Sequence, residues 1–95
     1  MEAITMKTIW KVAITPFGSV QLPAGAHLLS VAVQADRPYA WALVDPKRPL
    51  HSYRLHVFGT GHQVTDNPGR FLGTFLLPED GLVFHVFVPD GEESA

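Results

Sequence analysis

Glycine and proline interrupt this chain at short intervals throughout its length. Among 95 residues there are 8 Gly and 8 Pro, spread along the chain rather than gathered in one linker. No window of ten or more residues is both free of these breakers and apolar at helical spacing. The runs between them are short and rich in Val, Ile, Leu, Phe, Thr, Tyr and Trp, which is typical of an all-β sandwich or barrel.

The apolar runs predict about seven strands. They cover residues 7–15, 20–22, 27–34, 39–44, 52–58, 70–77 and 82–88. The connections are short, which favours antiparallel neighbours, with a turn at residues 15–19 and hairpin turns at 36–38 and 79–81. We therefore predict a single small antiparallel β-sandwich or barrel over residues 7–89. Residues 1–6 are interpreted as an N-terminal extension and residues 90–95 as a frayed acidic tail.

Alternation within each run assigns its inward face. The fourth strand is apolar on both sides, and there we assign Trp41 and Leu43 to the core. Gly73, inside the sixth strand, predicts a bulge or a close backbone approach. The predicted inward set is Trp10, Val12, Ile14, Leu29, Val31, Val33, Trp41, Leu43, Leu55, Val57, Phe71, Phe75, Phe84 and Val86; Tyr53 also points inward in its strand.

Charge and cysteine content exclude several classes of function. The chain has 7 Lys+Arg against 9 Asp+Glu, a formal net charge of −2, so we expect neither general nucleic-acid binding nor attachment to an anionic membrane. It has no Cys, which excludes disulfides, thiolate metal sites and a cysteine nucleophile. No apolar run approaches the ~20 residues that cross a bilayer, so no membrane partner is expected.

Five histidines raise the question of a metal site. None of the pairs has the i, i+4 spacing of a helical zinc motif. His56 and His85 could face each other across a sheet, and with His62 or Asp66 they could hold a metal ion. Ordinary hydrogen-bonded histidines are the simpler interpretation, so we expect neither a metal nor a cofactor.

The Gly-Thr-Gly-His segment at residues 59–62 (the 59–62 turn) follows a strand. A phosphate cradle would need a helix after it, and the sequence from residue 63 to Pro68 predicts none. A strand-end turn with positive φ is therefore favoured. The alternative is that residues 59–67 form a loop shaped for contact. The serines lack a nucleophile-elbow context, and a nearby His and Asp alone specify nothing, so we expect no enzymatic activity.

Several apolar residues are predicted to point away from the core. For Phe58, Leu76 and Phe87 we favour a covering second sheet; the alternative is an exposed patch that marks a protein interface. Edge strands offer a route to a homodimer. The candidate interaction surface consists of His56, Phe58, Gly59, Thr60, Gly61, His62, Asp66, His85 and Phe87.

Five ordered segments carry a family resemblance: KTIWK (7–11), GAHLLSV (25–31), WALVDP (41–46), GTGH (59–62) and GLVFHVF (81–87). From Met6 to about Val88 the chain resembles a family of small proteins of unknown function encoded by bacteriophages and prophages. The resemblance implies an accessory protein that acts in the host bacterial cytoplasm. Such a protein would bind and modulate a host protein, for example a component of host defence. The alternatives are a metal- or small-ligand-binding β-domain and a minor virion or assembly component.

Overall fold

Strands separated by tight turns make up most of the computed structural model, which describes residues 6–15 and 18–94. The strands are β1 (Thr8–Ala13), β2 (Ser19–Pro23), β3 (His27–Gln34), β4 (Arg37–Val44), β5 (Leu50–Arg54), β6 (His56–Gly59), β7 (Arg70–Leu77) and β8 (Leu82–Val88). A 3₁₀ turn, Glu92–Ser94, follows, and the described residues contain no α-helix. The predicted all-β class is confirmed.

The strands form three antiparallel sheets, ordered β1–β4–β3, β2–β5 and β6–β8–β7. One apolar core joins all three, as expected for a small β-sandwich. Trp10, Val12 and Ile14 pack against this core, as their alternation predicted. The buried core residues are Val20, Leu22, Ala26, Leu28, Val31, Ala40, Ala42, Val44, Tyr53, Leu55, Leu72, Phe75, Val86 and Val88.

The predicted fifth strand, residues 52–58, is two strands in two sheets. β5 pairs with β2, whereas β6 pairs with β8. Between them Leu55 leaves both ladders and donates its N–H to the carbonyl of Gly18. Its side chain stays buried. Residues 6–15 and 18–94 therefore contain eight strands rather than the predicted seven or so, because one apolar run crosses from one sheet to another.

The assignment of Trp41 and Leu43 to the core is wrong. β4 buries Ala40, Ala42 and Val44 completely, and Trp41 and Leu43 lie on its other face, partly exposed. Both faces of this strand are apolar, so alternation alone does not choose between them. The small alanine side chains fit where β4 is flanked by β1 and β3 within a crowded core.

Two β-bulges overturn the inward assignments of Leu29 and Phe71. The ladder between β3 and β4 shifts between Leu28 and Ser30, so Leu28 is buried and Leu29 is 41% exposed. The ladder between β7 and β8 shifts between Phe71 and Gly73, and here Leu72 is buried. A bulge adds one residue to a strand and inverts the alternation on one side of it.

Gly73 shows both features that a glycine within a strand predicts. It borders the second bulge, and a Cβ built on it would lie 3.0 Å from Cγ2 of Val31 on β3. The missing side chain therefore lets β7 pack closely on β3. This contact brings the edge strands of the two three-stranded sheets together.

The acidic tail is bound to the strands rather than frayed. Glu93 accepts hydrogen bonds from the backbone N–H of Leu28 and from the Arg70 guanidinium. Glu92 accepts one from the N–H of Arg54. The proposed extension up to residue 5 and the centre of the 15–19 turn, residues 16 and 17, lie outside the described residues.

Candidate interaction surface

The outward face of the β6–β8–β7 sheet carries most of the candidate residues. Strand pairing sets His56 opposite Phe87, and Phe58 opposite His85. On the other side of β8, Phe71 pairs with Phe87, Thr74 with His85, and Leu76 with Val83. We call this set the aromatic face: His56, Phe58, Phe71, Thr74, Leu76, Val83, His85 and Phe87.

Ring contacts run across the aromatic face from one edge strand to the other. Ring centroids are 5.9 Å apart for His56 and Phe58, 5.9 Å for Phe58 and Phe87, and 5.4 Å for Phe71 and Phe87. The interplanar angles of 61° to 70° are edge-to-face, the arrangement that aromatic rings prefer at such distances. The rings therefore hold each other in place without a partner.

The expectation that a second sheet covers this face is wrong. Phe71 is 55% exposed and Leu76 is 56% exposed, while Phe58 and Phe87 are half-buried by each other and their neighbours. The core lies against the opposite side of the sheet, where Phe75 and Val86 point. Among the described residues, the outward apolar side chains thus form an open patch, the alternative that marks an interface.

His85 lies at the centre of the aromatic face between two hydroxyl groups. Its Nε2 is 2.7 Å from Oγ1 of Thr60, and its Nδ1 is 3.0 Å from Oγ1 of Thr74. Thr74 pairs with His85 across the ladder, and Thr60 follows the end of β6. Both ring nitrogens therefore have a partner, and the imidazole is fixed in orientation.

His56 shares the aromatic face with His85 but does not oppose it. Each histidine is paired with a phenylalanine on the neighbouring strand, so the two imidazoles are offset by one row of side chains. Nδ1 of His56 lies 3.1 Å from the carbonyl oxygen of Pro68, to which it donates. In the described residues no group of three or more His, Asp or Glu could hold a metal ion.

The 59–62 turn closes the β6 end of the face. The N–H of Thr60 donates to the Val83 carbonyl, and the N–H of His62 donates to the Gly59 carbonyl. A Cβ on Gly59 would lie 2.8 Å from Cε1 of His62, so a larger residue here would displace the exposed imidazole from its position on the turn. Gly61 has φ of 88°, which confirms the predicted strand-end turn with positive φ.

A cavity of about 380 Å³ lies between the 59–62 turn and the β7–β8 hairpin. Thr60 and His62 contribute its polar groups, and Leu82, Val83 and Phe84 contribute apolar wall. Its size is at the small end of the range for ligand pockets. The candidate Asp66 is exposed on the following loop, and no hydrogen bond or ion pair links it to these groups in the described structure.

Sequence reasoning missed Phe71 and Thr74 as members of the surface. Uninterrupted alternation along the strand assigns Phe71 inward, whereas the bulge between Phe71 and Gly73 turns it outward. Thr74 carries no motif, and only its register opposite His85 gives it a role. A bulge placed before Gly73 would have put Phe71, Thr74 and Leu76 together on the outward face.

Fold and surface together define a small all-β protein with one open aromatic sheet face. Residues 6–95 match the family described as Domain of unknown function (DUF7352), and the chain belongs to that family. No curated protein and no protein of solved structure matches it. Across the described ranges, none of the helical segments is long and apolar enough to span a membrane.

Proposed function

We propose that this protein is a protein-binding module that docks through its aromatic face. The observation that carries the proposal is the open row of contacting rings, Phe58, Phe87 and Phe71, flanked by exposed Leu76. The face contains no Lys, Arg, Asp or Glu, so a matching partner surface is apolar and uncharged at its centre. Aromatic residues with fixed rings are typical anchors of protein interfaces because they lose little entropy on binding.

Phe71 and Leu76 are the side chains with most to gain from a partner. Each is more than half exposed, so covering the exposed part contributes about half of the ~1.5–3 kcal/mol that full burial of such a side chain gives. A stable interface buries about 800 Å² on each partner, which corresponds to about 20–30 residues a side, and the aromatic face has eight. We therefore include the 59–62 turn, with its exposed Thr60 and His62, in the contact area.

The resemblance of five ordered segments to phage and prophage proteins supports a choice of partner. We extend the proposal to the partner, which is a protein of the host bacterium located in the host cytoplasm. Binding of the aromatic face to this partner inhibits or redirects the partner's activity. A component of host defence is the specific class proposed. The net charge of −2 gives no general attraction for nucleic acid, which favours a protein partner.

Paired surface variants test the proposal. The immobilised protein is used to capture partners from a lysate of the host bacterium, alongside Phe71→Ala, Leu76→Ala and the control Ile9→Ala. Ile9 is as exposed as Phe71, at 58%, but lies on β1 in another sheet. We expect at least about fivefold weaker capture with either variant of the face, because truncating an interface anchor costs more than ~1 kcal/mol, and unchanged capture with the control. Equal capture by all four proteins would refute docking through this face.

The cavity beside the 59–62 turn favours a second candidate, a small-ligand-binding β-domain. Its polar groups and its apolar wall would suit a small molecule with one polar end. A rise in the melting temperature when a small molecule is added, lost when His62 is replaced by alanine, would favour this candidate over protein docking.

An assembly role through sheet edges is the remaining alternative. β1 and β6 are terminal strands of their sheets, and terminal strands can pair with a second copy. Light scattering that shows a homodimer, abolished by a proline in β1, would support it. A monomer at high concentration would count against it.

A further inference from the structure

The His85 imidazole is hydrogen-bonded to the hydroxyls of Thr60 and Thr74. This arrangement is typical of a site in which a histidine activates a hydroxyl group as a nucleophile. We propose that Thr60 is a nucleophile for acyl transfer, with His85 as its general base and Thr74 as the residue that positions His85. The substrate class is activated esters and thioesters with a short apolar acyl group. This activity goes beyond the proposed docking function and does not depend on it.

The distances match what nucleophilic catalysis requires. A nucleophile and its base lie within about 2.6–3.2 Å, and a third group orients the base. Here Thr60 Oγ1 is 2.7 Å from Nε2 of His85, and Thr74 Oγ1 is 3.0 Å from Nδ1. In the active tautomer Nδ1–H donates to Thr74, which leaves the Nε2 lone pair to accept the proton of the Thr60 hydroxyl.

The surroundings of Thr60 supply the other parts of an acyl-transfer site. Thr60 is exposed and lines the cavity of about 380 Å³, whose wall of Leu82, Val83 and Phe84 suits an apolar acyl chain. Gly61 directly follows Thr60, and in acyl-transfer enzymes the N–H after the nucleophile commonly stabilises the oxyanion. The 59–62 turn is fixed by two backbone hydrogen bonds, which holds the hydroxyl in position.

The proposed reaction has two balanced steps. The Thr60 oxygen attacks the carbonyl carbon while Nε2 of His85 takes the hydroxyl proton, and the tetrahedral intermediate then expels the alcohol or thiol, which receives that proton. Acyl-Thr60 is the product of the first step. In the second step water attacks the acyl group, His85 takes a proton from the water and returns it to Oγ1, and the free carboxylic acid leaves.

The test uses p-nitrophenyl acetate and p-nitrophenyl butyrate with the full chain. We expect release of p-nitrophenolate and a mass increase of one acyl group that peptide mapping places on Thr60. Thr60→Val removes both signals, Thr60→Ser retains them, and His85→Gln lowers acylation about a hundredfold, the low end of general-base effects. Thr65→Val, in the exposed loop after the turn, is the matched control and leaves the rate unchanged.

The positioning role of Thr74 is tested by a measurement that distinguishes it from a loss of folding. Thr74→Val allows the imidazole to adopt the other tautomer, so nitrogen NMR of His85 shifts from Nδ1–H toward Nε2–H. The acylation rate falls with it, and Thr74→Ser restores both.

Three results would overturn the proposal. One is unchanged p-nitrophenolate release by Thr60→Val, which would assign the reaction to exposed imidazoles alone. Another is an acyl adduct on residues other than Thr60. The third is nitrogen NMR of the unmodified protein showing that the neutral His85 imidazole carries its proton on Nε2. This measurement does not depend on the folding of any variant.

Discussion

Replacing Glu93 by alanine should loosen the attachment of the tail to both three-stranded sheets. Its carboxylate accepts the N–H of Leu28, 2.6 Å from N to Oε2, and also binds the Arg70 guanidinium. Nδ1 of His27 lies 3.4 Å from the same Oε2. Leu28 is on β3 and Arg70 is on β7, so one side chain joins the edge strands of two sheets.

The magnitude follows from what each lost contact leaves behind. Leu28 is fully buried, and a buried N–H without an acceptor costs ~1–3 kcal/mol. The Arg70 side chain is 42% exposed, so its ion pair adds only ~0–1 kcal/mol after solvent screening. We therefore expect Glu93→Ala to lower the free energy of unfolding by about 2–3 kcal/mol. Glu93→Gln, which keeps a neutral acceptor, should lower it by about 1 kcal/mol.

Urea denaturation followed by fluorescence of Trp10 and Trp41 measures these differences. Glu79→Ala is the matched control, because this glutamate is exposed in the β7–β8 turn and should change stability by less than ~0.5 kcal/mol. A chain ending at Gly91 should lose at least as much stability as Glu93→Ala. A Glu93→Ala protein within ~0.5 kcal/mol of the unmodified chain would refute the bound position of the tail.

Two further predictions concern stability and use the same denaturation. Gly69→Ala should cost about 3 kcal/mol or more, because φ is 103° and the added Cβ would lie 2.0 Å from the Val88 carbonyl oxygen. Gly81→Ala, with φ of 66° and open space around it, should cost only about 1 kcal/mol; equal costs would contradict the close approach. Tyr53→Phe should cost ~1–3 kcal/mol, because the buried hydroxyl accepts the Ala26 N–H; a loss below ~0.5 kcal/mol would show that this bond is unimportant.

Local sequence patterns predict strands better than they predict which face of each strand is buried. The limits of β7 and β8 agree with the prediction because clear breakers stand at both ends of each. The bulges at Leu29 and Leu72 depend on packing between different strands. The alternation of residues within one strand carries no information about that packing. The break at Leu55 has the same origin, since its N–H bonds to Gly18 in another part of the fold.

The candidate surface was predictable in outline from the sequence. Phe58, His85 and Phe87 alternate with core residues, so their shared outward direction follows from strand periodicity. The partners of His85 could not be predicted in this way. Thr60 and Thr74 are 25 and 11 residues distant from it in the chain, and only the register of three strands brings their hydroxyls to its two nitrogens.

Site-specific photo-crosslinking from the aromatic face is the most direct test of the central claim, that this open face is where the protein binds its partner. A photoreactive phenylalanine analogue is placed at Leu76, or at Ile9 as the control, and irradiated in the host bacterium. Docking through the aromatic face predicts one dominant crosslinked product from position 76, lost with Phe71→Ala, and none from position 9. Equal crosslinking from both positions, or a dominant product from position 9 alone, would contradict it.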